Sequence, residues 1–295
     1  MSQLKFYILT SSNITCLKRI FNTVQLNKAV VVINSLDLNY VDAAASFCLE
    51  NGIEHHITES NGKPGKGKNS LIQKFLESNN EYMVPVDGDD YVTPYGVEMY
   101  TRMAERQEVD CCVLYKQAAI LESKRTGKMQ KIFPFDREAK MFKQSLRDLH
   151  ISYASIPDIS ASHARRYATE RLQFDEATRS YSENCESLCR ITFLSRRGAK
   201  LVNYDQSLRV GEDTLQYFAL KVAAFKNQLN MVRHRENKTA DSNTYWYMKD
   251  GGRMEKFNDV DWEWQKPFVS KLATMDLSSI ENKSLPEYED EIRTN

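Results

Sequence analysis

The first hundred residues switch repeatedly between a strand-like and a helix-like hydrophobic period, and this alternation constrains the fold more than any other feature of the chain. KFYILT is a short apolar run of strand type, and Thr15 to Gln25 carries Leu17, Ile20, Phe21 and Val24 at helical spacing. AVVVIN is a continuous β-branched run, the pattern of a strand buried on both faces. Tyr40 to Asn51 is helical, Gly52 ends that helix, and IEHHIT is a third strand. The loop NGKPGKGKN, the helix SLIQKFLES and the strand EYMVPVD complete a β-α-β-α-β-α-β series. Such a series predicts an α/β, Rossmann-like fold with a mostly parallel, doubly wound sheet flanked by helices. Ligands of these sheets bind outside the carboxyl ends of the strands, where Ser11, Asn34 and Asp87 fall.

Beyond this region TPYGVEMYTRMAERQ predicts a helix, VDCCVLYKQAAIL one strand, and KRTGKMQKIFPF a turn followed by a strand-like run. Residues 136–190 carry mixed helical signals and many arginines, and a second structured block from CRITFLS ends in a helix starting near Glu212. From Asp241 onward the chain is aromatic but unperiodic, closing on the acidic PEYEDEIRTN. No internal repeat or low-complexity linker is found.

The 40 basic and 40 acidic residues cancel, so the chain has no global attraction for nucleic acid. A hydrophobic content of 41% over 295 residues supplies a sizeable core and excludes a disordered chain. No apolar run approaches the roughly 18 residues of a membrane span. The apolar stretch at the N-terminus is too short for a signal peptide, so a cytoplasmic location is expected. Among the six cysteines, Cys111 and Cys112 alternate faces of a strand as small core residues. Cys185 and Cys189 have i, i+4 spacing, but no CxxC partner accompanies them, and reduced thiols are the expectation.

The most chemically pointed stretch is YMVPVDGDDYVTPYG, in which Asp87, Asp89 and Asp90 crowd around Gly88. An Asp-Gly turn accounts for the first two positions but not for two further aspartates. An EF-hand running from Asp87 to Glu98 fails because Val92 stands where the loop needs glycine and Tyr91 where it needs a ligand. A hard divalent cation, Mn²⁺ or Mg²⁺, bridging carboxylates to a substrate diphosphate explains the cluster better. Upstream, Gly62 to Asn69 reads GKPGKGKN, close to the phosphate-binding GxxxxGK[ST] pattern, but with Asn69 in place of the hydroxyl residue. Downstream, Gly211 precedes Glu212 and Asp213 at a helix start, where acidic residues complement the helix dipole in any protein. Finally, His234 lies between Arg233 and Arg235, a local basic stretch suited to phosphate oxygens.

Taken in order, PVDGDDYVTPYG, GKGKNSL, FLSRRGAKLV with SLRVGEDTLQYFAL, and RHRENKTADS resemble the family 2 glycosyltransferases of the GT-A fold. The likeness covers about the first hundred residues and then 190–243. It implies a GT-A domain over 1–240, with a nucleotide-sugar half at 1–103, a helical and aromatic acceptor half at 104–240, and an extension at 241–295. It further implies inverting transfer from a nucleotide-sugar, most simply a UDP-sugar, to a hydroxyl acceptor such as a glycan or a modified nucleic-acid base. Under this resemblance Asp213 is the general base, Glu212 shapes its setting, and Asp89, Asp87 and His234 are the metal contacts. Thr10, Ser11, Asn34, Lys68, Asn69, Asp87, Gly88 and Arg235 would line the donor site. Where the family usually carries an acidic residue for the base, this chain has Asn34, and Pro85 stands in a central strand, which suggests a bulge. The alternatives are a nucleotidyltransferase, or a P-loop-like NTPase or kinase using Gly62–Asn69.

Overall fold

Val30, Val31 and Val32 have no solvent exposure, so the AVVVI run has core on both faces and forms an interior strand. The computed structural model describes residues 4–115, 118–122, 129–132, 174–175, 180–181, 190–209, 211–235, 243–248, 267–268, 270–271, 274–280 and 283–288. Seven strands form the main sheet: β1 (Leu4–Thr10), β2 (Ala29–Ile33), β3 (Glu54–Ile57), β4 (Tyr82–Asp87), β6 (Cys111–Tyr115), β11 (Arg190–Ser195) and β12 (Met231–Arg235). Their order is β12-β6-β11-β4-β1-β2-β3. Only β11 among them runs antiparallel to its neighbours, β4 and β6. A four-stranded sheet of β5 (Tyr91–Val92), β13 (Tyr245–Met248), β7 (Ala118–Glu122) and β8 (Met129–Ile132) lies beyond the end of β4. The two-residue strands β9 (Phe174–Asp175) and β10 (Ser180–Tyr181) pair with each other.

Helices cover both faces. On one face α1 (Ile14–Ile20), α2 (Leu38–Glu50) and α4 (Pro94–Arg106) bury Leu17, Ala44 and Met103 against Phe6, Val31 and Val84. On the other, α3 (Pro64–Glu77) and α6 (Glu212–Phe225) bury Phe75 and Phe218 against Tyr7, Val30 and Met83, while the short α5 (Arg196–Ala199) follows β11. Leu277, Ile280 and Leu285 join this second core, so the C-terminal segment shares its packing. No helix among the described residues is long and apolar enough to cross a membrane.

Three sequence expectations need correction. NGKPGKGKN is a loop only as far as Lys63, because α3 already begins at Pro64. Proline fits the first helical position, whereas the two glycines that suggested a loop are there for space. A Cβ at Gly65 would lie 2.2 Å from the Asp205 carbonyl oxygen, and one at Gly67 3.1 Å from Asn34 Oδ1. The run VDCCVLYKQAAIL divides into β6 and β7, which belong to different sheets, and period-2 alternation carries no mark of that change. Pro85 occupies no bulge, since the β1 ladder runs through it in unbroken register. The Gly88 N–H donates to the Leu9 carbonyl at 2.7 Å, so by alternation the Pro85 nitrogen faces β11, whose ladder with β4 stops at Met83. Segment 136–189, with Cys185 and Cys189, lies outside the described residues apart from β9 and β10. The four described cysteines, Cys16, Cys48, Cys111 and Cys112, are buried and in no disulfide.

The Asp cluster is anchored by α4. Thr93 caps this helix, its Oγ1 accepting from the Gly96 N–H at 3.0 Å. The Thr93 N–H donates to the Thr244 carbonyl at 3.1 Å, which ties residues 243–245 to the helix start. A Cβ on Gly96 would stand 2.0 Å from that carbonyl oxygen, so Gly96→Ala forces the two segments apart. The expected cost is about 1–3 kcal/mol, the usual range for overpacking, seen as a lowered Tm in thermal unfolding. An unchanged Tm would show that residues 243–245 are not held there.

Candidate active site

Four elements deliver charged side chains to the carboxyl edge of β4. The strand ends at Asp87, and the Asp90 N–H donates back to the Asp87 carbonyl at 2.9 Å, turning the chain so that Asp87, Asp89 and Asp90 converge. Their carboxylate oxygens lie within 4.8 Å of one another. Close like charges need compensation, and Arg190 at the start of β11 supplies it. Its Nη2 lies 2.8 Å from Asp87 Oδ2 and its Nη1 2.8 Å from Asp90 Oδ2. The guanidinium carbon sits 4.6 Å from the ring centre of Tyr245, whose hydroxyl donates to Asp90 Oδ2 at 2.9 Å.

This arrangement separates the three aspartates by task. Asp90 is fully buried and committed to Arg190 and Tyr245, a structural role. Burial alone would raise the Asp87 pKa, but Arg190 and then Lys68 outweigh it and hold the carboxyl below its usual range. For Asp89, burial and the neighbouring Asp87 charge push the pKa up, a field that favours an added cation. The donor set therefore fits Mn²⁺ or Mg²⁺: hard oxygens from Asp89 and Asp87 are the one or two carboxylates such an ion takes when it also binds a diphosphate. Arg19 Nη2 donates to the Asp89 carbonyl at 2.8 Å and fixes the turn from the α1 side.

Lys68 faces the aspartates from α3. It continues the stripe of Leu71, Ile72 and Phe75 at i, i+3, i+4 and i+7, so its stem packs with the core and its ammonium emerges at the sheet edge. Nζ lies 2.6 Å from both carboxylate oxygens of Asp213 and 2.8 Å from Glu212 Oε1. Burial would lower the Lys68 pKa, but Asp213, Glu212 and Asp87 together raise it well above the usual range. Gly211, at φ +81°, lets the chain enter α6 with both acids in its first turn. The Glu212 side chain is 7% exposed and that of Asp213 is 43% exposed. Burial raises the Glu212 pKa against the pull of Lys68. Lys68, Asp87, Arg190, Tyr204 and Asp213 line one pocket, floored by Leu9, Leu71 and Ile72.

The remaining sequence candidates are placed as follows. Thr10 is buried, its hydroxyl hydrogen-bonded to Tyr40, and its carbonyl accepts from the Asn34 N–H at 2.8 Å. The Asn34 amide donates to Thr58 Oγ1 and the Glu59 carbonyl, both at 2.9 Å, so it fastens the β3 end. The Ser11 carbonyl accepts from Ser35 Oγ at 2.7 Å. Asn69 is bonded at both ends of its amide to the Tyr204 backbone, at 2.8 Å each, which holds that ring against Lys68. The register sets His234 level with Leu114 and Arg190, but three strands from β4, on the order of 14 Å at the usual spacing. Arg235 ends β12 beside Tyr115, and its side chain lies outside the described residues. Sequence reasoning missed Arg190 and Tyr245. A lone arginine opening the apolar strand RITFLS was the available signal for the first; nothing local marked the second.

No protein-family profile matches the chain, and no curated protein matches it in sequence. Its structure is similar to the crystal structure of S. aureus TarS residues 1–349 in complex with UDP-GlcNAc, at 14% identity and TM-score 0.52 over 97% of this chain and 68% of that one. A longer S. aureus TarS chain matches at 13% identity and TM-score 0.47, over 94% of this chain and 41% of that one. The mannosyltransferase PcManGT from Pyrobaculum calidifontis, in complex with GDP-Man and Mn²⁺, matches at 10% identity and TM-score 0.43, over 94% and 70%. The first of these likenesses, together with the mostly parallel seven-stranded sheet, gives the chain a GT-A-like glycosyltransferase fold, as the sequence resemblance implied.

Proposed function

We propose that this chain, with its GT-A-like fold, is a metal-dependent glycosyltransferase that moves a sugar from a nucleotide-sugar to an acceptor hydroxyl with inversion. The observation that carries this reading is the pocket that Asp87, Lys68, Arg190 and Asp213 line together at the carboxyl edge of the sheet. Asp89 and Asp87 would hold the divalent cation, which when bound offsets the negative charge that gathers on a departing diphosphate. Lys68 and Arg190 add positive charge to the same pocket. Asp213 is the most exposed of the acids around Lys68 and serves as general base, accepting the proton of the acceptor hydroxyl as it attacks. A base facing the sugar from the side away from the diphosphate produces inversion, by the same two-faced logic as in inverting glycosidases. Glu212, nearly buried, keeps Lys68 and Asp213 in register.

The near match to a phosphate-binding loop supports no NTPase reading, since Pro64 to Asn69 is helical and Lys68 is directed at carboxylates. A thermal-shift panel of UDP- and GDP-sugars, with and without Mn²⁺, tests the proposal. At least one nucleotide-sugar is expected to stabilise the wild type in the presence of Mn²⁺, and Asp89→Ala to lose that stabilisation. Equal shifts in both proteins, or none in either, would remove the donor site.

A further inference from the structure

Lys68 makes three close contacts with the two acids of α6, and both oxygens of Asp213 are among its partners. A carboxylate whose two oxygens both accept from one ammonium is a poor base, because its lone pairs are engaged and its charge is offset. This pairing therefore conflicts with the role proposed for Asp213. The same side chain also lines the pocket with Asp87, where a diphosphate would lie, and its flexible four-carbon stem can redirect the ammonium without moving α3. A strand-end carboxylate, a helix-borne lysine and a helix-cap carboxylate thus form one chain of charges spanning the pocket.

We infer that Lys68 is a donor-operated latch: it covers Asp213 while the donor site is empty, and turns to the incoming diphosphate when a donor binds, which frees the base. This rests on the donor reading above and extends it to what frees the base: the diphosphate is a second anion that competes with Asp213 for the ammonium. The structure around the lysine suits such a move. Glu212 is nearly buried and holds the ammonium from one side at 2.8 Å, Asn69 fixes Tyr204 as a wall, and the more exposed Asp213 is the partner that solvent can accommodate once released. Lys68 is in this sense a positioning residue, acting on the reaction through the availability of Asp213.

Zero-length carbodiimide cross-linking reads the latch directly, since it joins a lysine amine to a carboxylate only where the two are in contact. The full chain is treated alone, with Mn²⁺, and with Mn²⁺ plus saturating UDP or GDP, and the cross-linked peptides are quantified by mass spectrometry. Nucleotide binding is followed independently by thermal shift. The Lys68–Asp213 product is expected in the first two samples and should fall roughly tenfold with the bound nucleotide. Asp213→Asn, which removes that product and leaves Lys68–Glu212, confirms the assignment of the peptide. A nucleotide that binds while the Lys68–Asp213 yield stays unchanged overturns the latch and leaves the donor reading standing. If neither nucleotide binds, the donor reading falls and takes the latch with it.

Discussion

Asp213→Asn is expected to lower sugar transfer by about 10²–10⁴-fold, the usual contribution of a general base, while leaving nucleotide-sugar binding intact. The substitution keeps the size of the side chain and one oxygen acceptor, so Lys68 retains a partner here and its bond to Glu212 at 2.8 Å. On the proposed role, what disappears is the group that takes the acceptor proton, an effect confined to the chemical step. Release of nucleoside diphosphate, measured beside the thermal shift given by the donor, separates the two properties. A variant that transfers within a few-fold of wild type would relocate the base, and a larger loss in Glu212→Gln would move it to the neighbouring acid. The comparison is informative because the two residues share one lysine but differ in exposure, 7% against 43%.

The second large effect concerns stability. Arg190→Met should cost about 3–5 kcal/mol, because it leaves the fully buried Asp90 and its neighbour Asp87 without their shared cation. For a domain of this size, that corresponds to a fall in Tm of roughly 10 °C. Methionine fills most of the arginine volume, so the loss reports on charge more than on packing. Asp90→Asn in the Arg190→Met background should recover part of the deficit, since the amide needs no counter-charge and still accepts from Tyr245. Additive effects of the two changes in a double-mutant cycle would show that the pair is not coupled. A methionine variant as stable as wild type would show that Arg190 does not hold the turn.

Residues 1–103 were legible because their interactions are mostly local or periodic. Strands β1 to β4 and helices α2 and α4 follow from runs such as AVVVI and from helical spacing, and the structure adds Asp37 and Thr93 as caps. Where the reading slipped, a tertiary contact outweighed a local propensity. Gly65 and Gly67 lower helix propensity, yet both lie within α3, and they mark close contacts with Asp205 and Asn34 rather than a loop. Likewise, β6 and β7 read as one strand because β12 and β13, the partners that hold them in different sheets, lie more than a hundred residues downstream. The acidic motif pointed to a cation, but not to the division of labour within it, since Asp89 and Asp90 are chemically identical until Arg190 and Tyr245 reach one of them.

The sequence by itself determined the α/β class, the succession of the first four strands along the chain, and the three charged stretches around Lys68, Asp87 and Asp213. Hydrophobic period and residue chemistry are local properties that survive without a fold. Only the tertiary structure decided that Lys68 closes on Asp213, that Asp90 belongs to the frame, and that Tyr245, 155 positions downstream of it, completes the turn. Such pairings depend on which strand ends meet at one sheet edge. They are set by the long-range packing of β11, α6 and β13 against β4, and no window of sequence contains them.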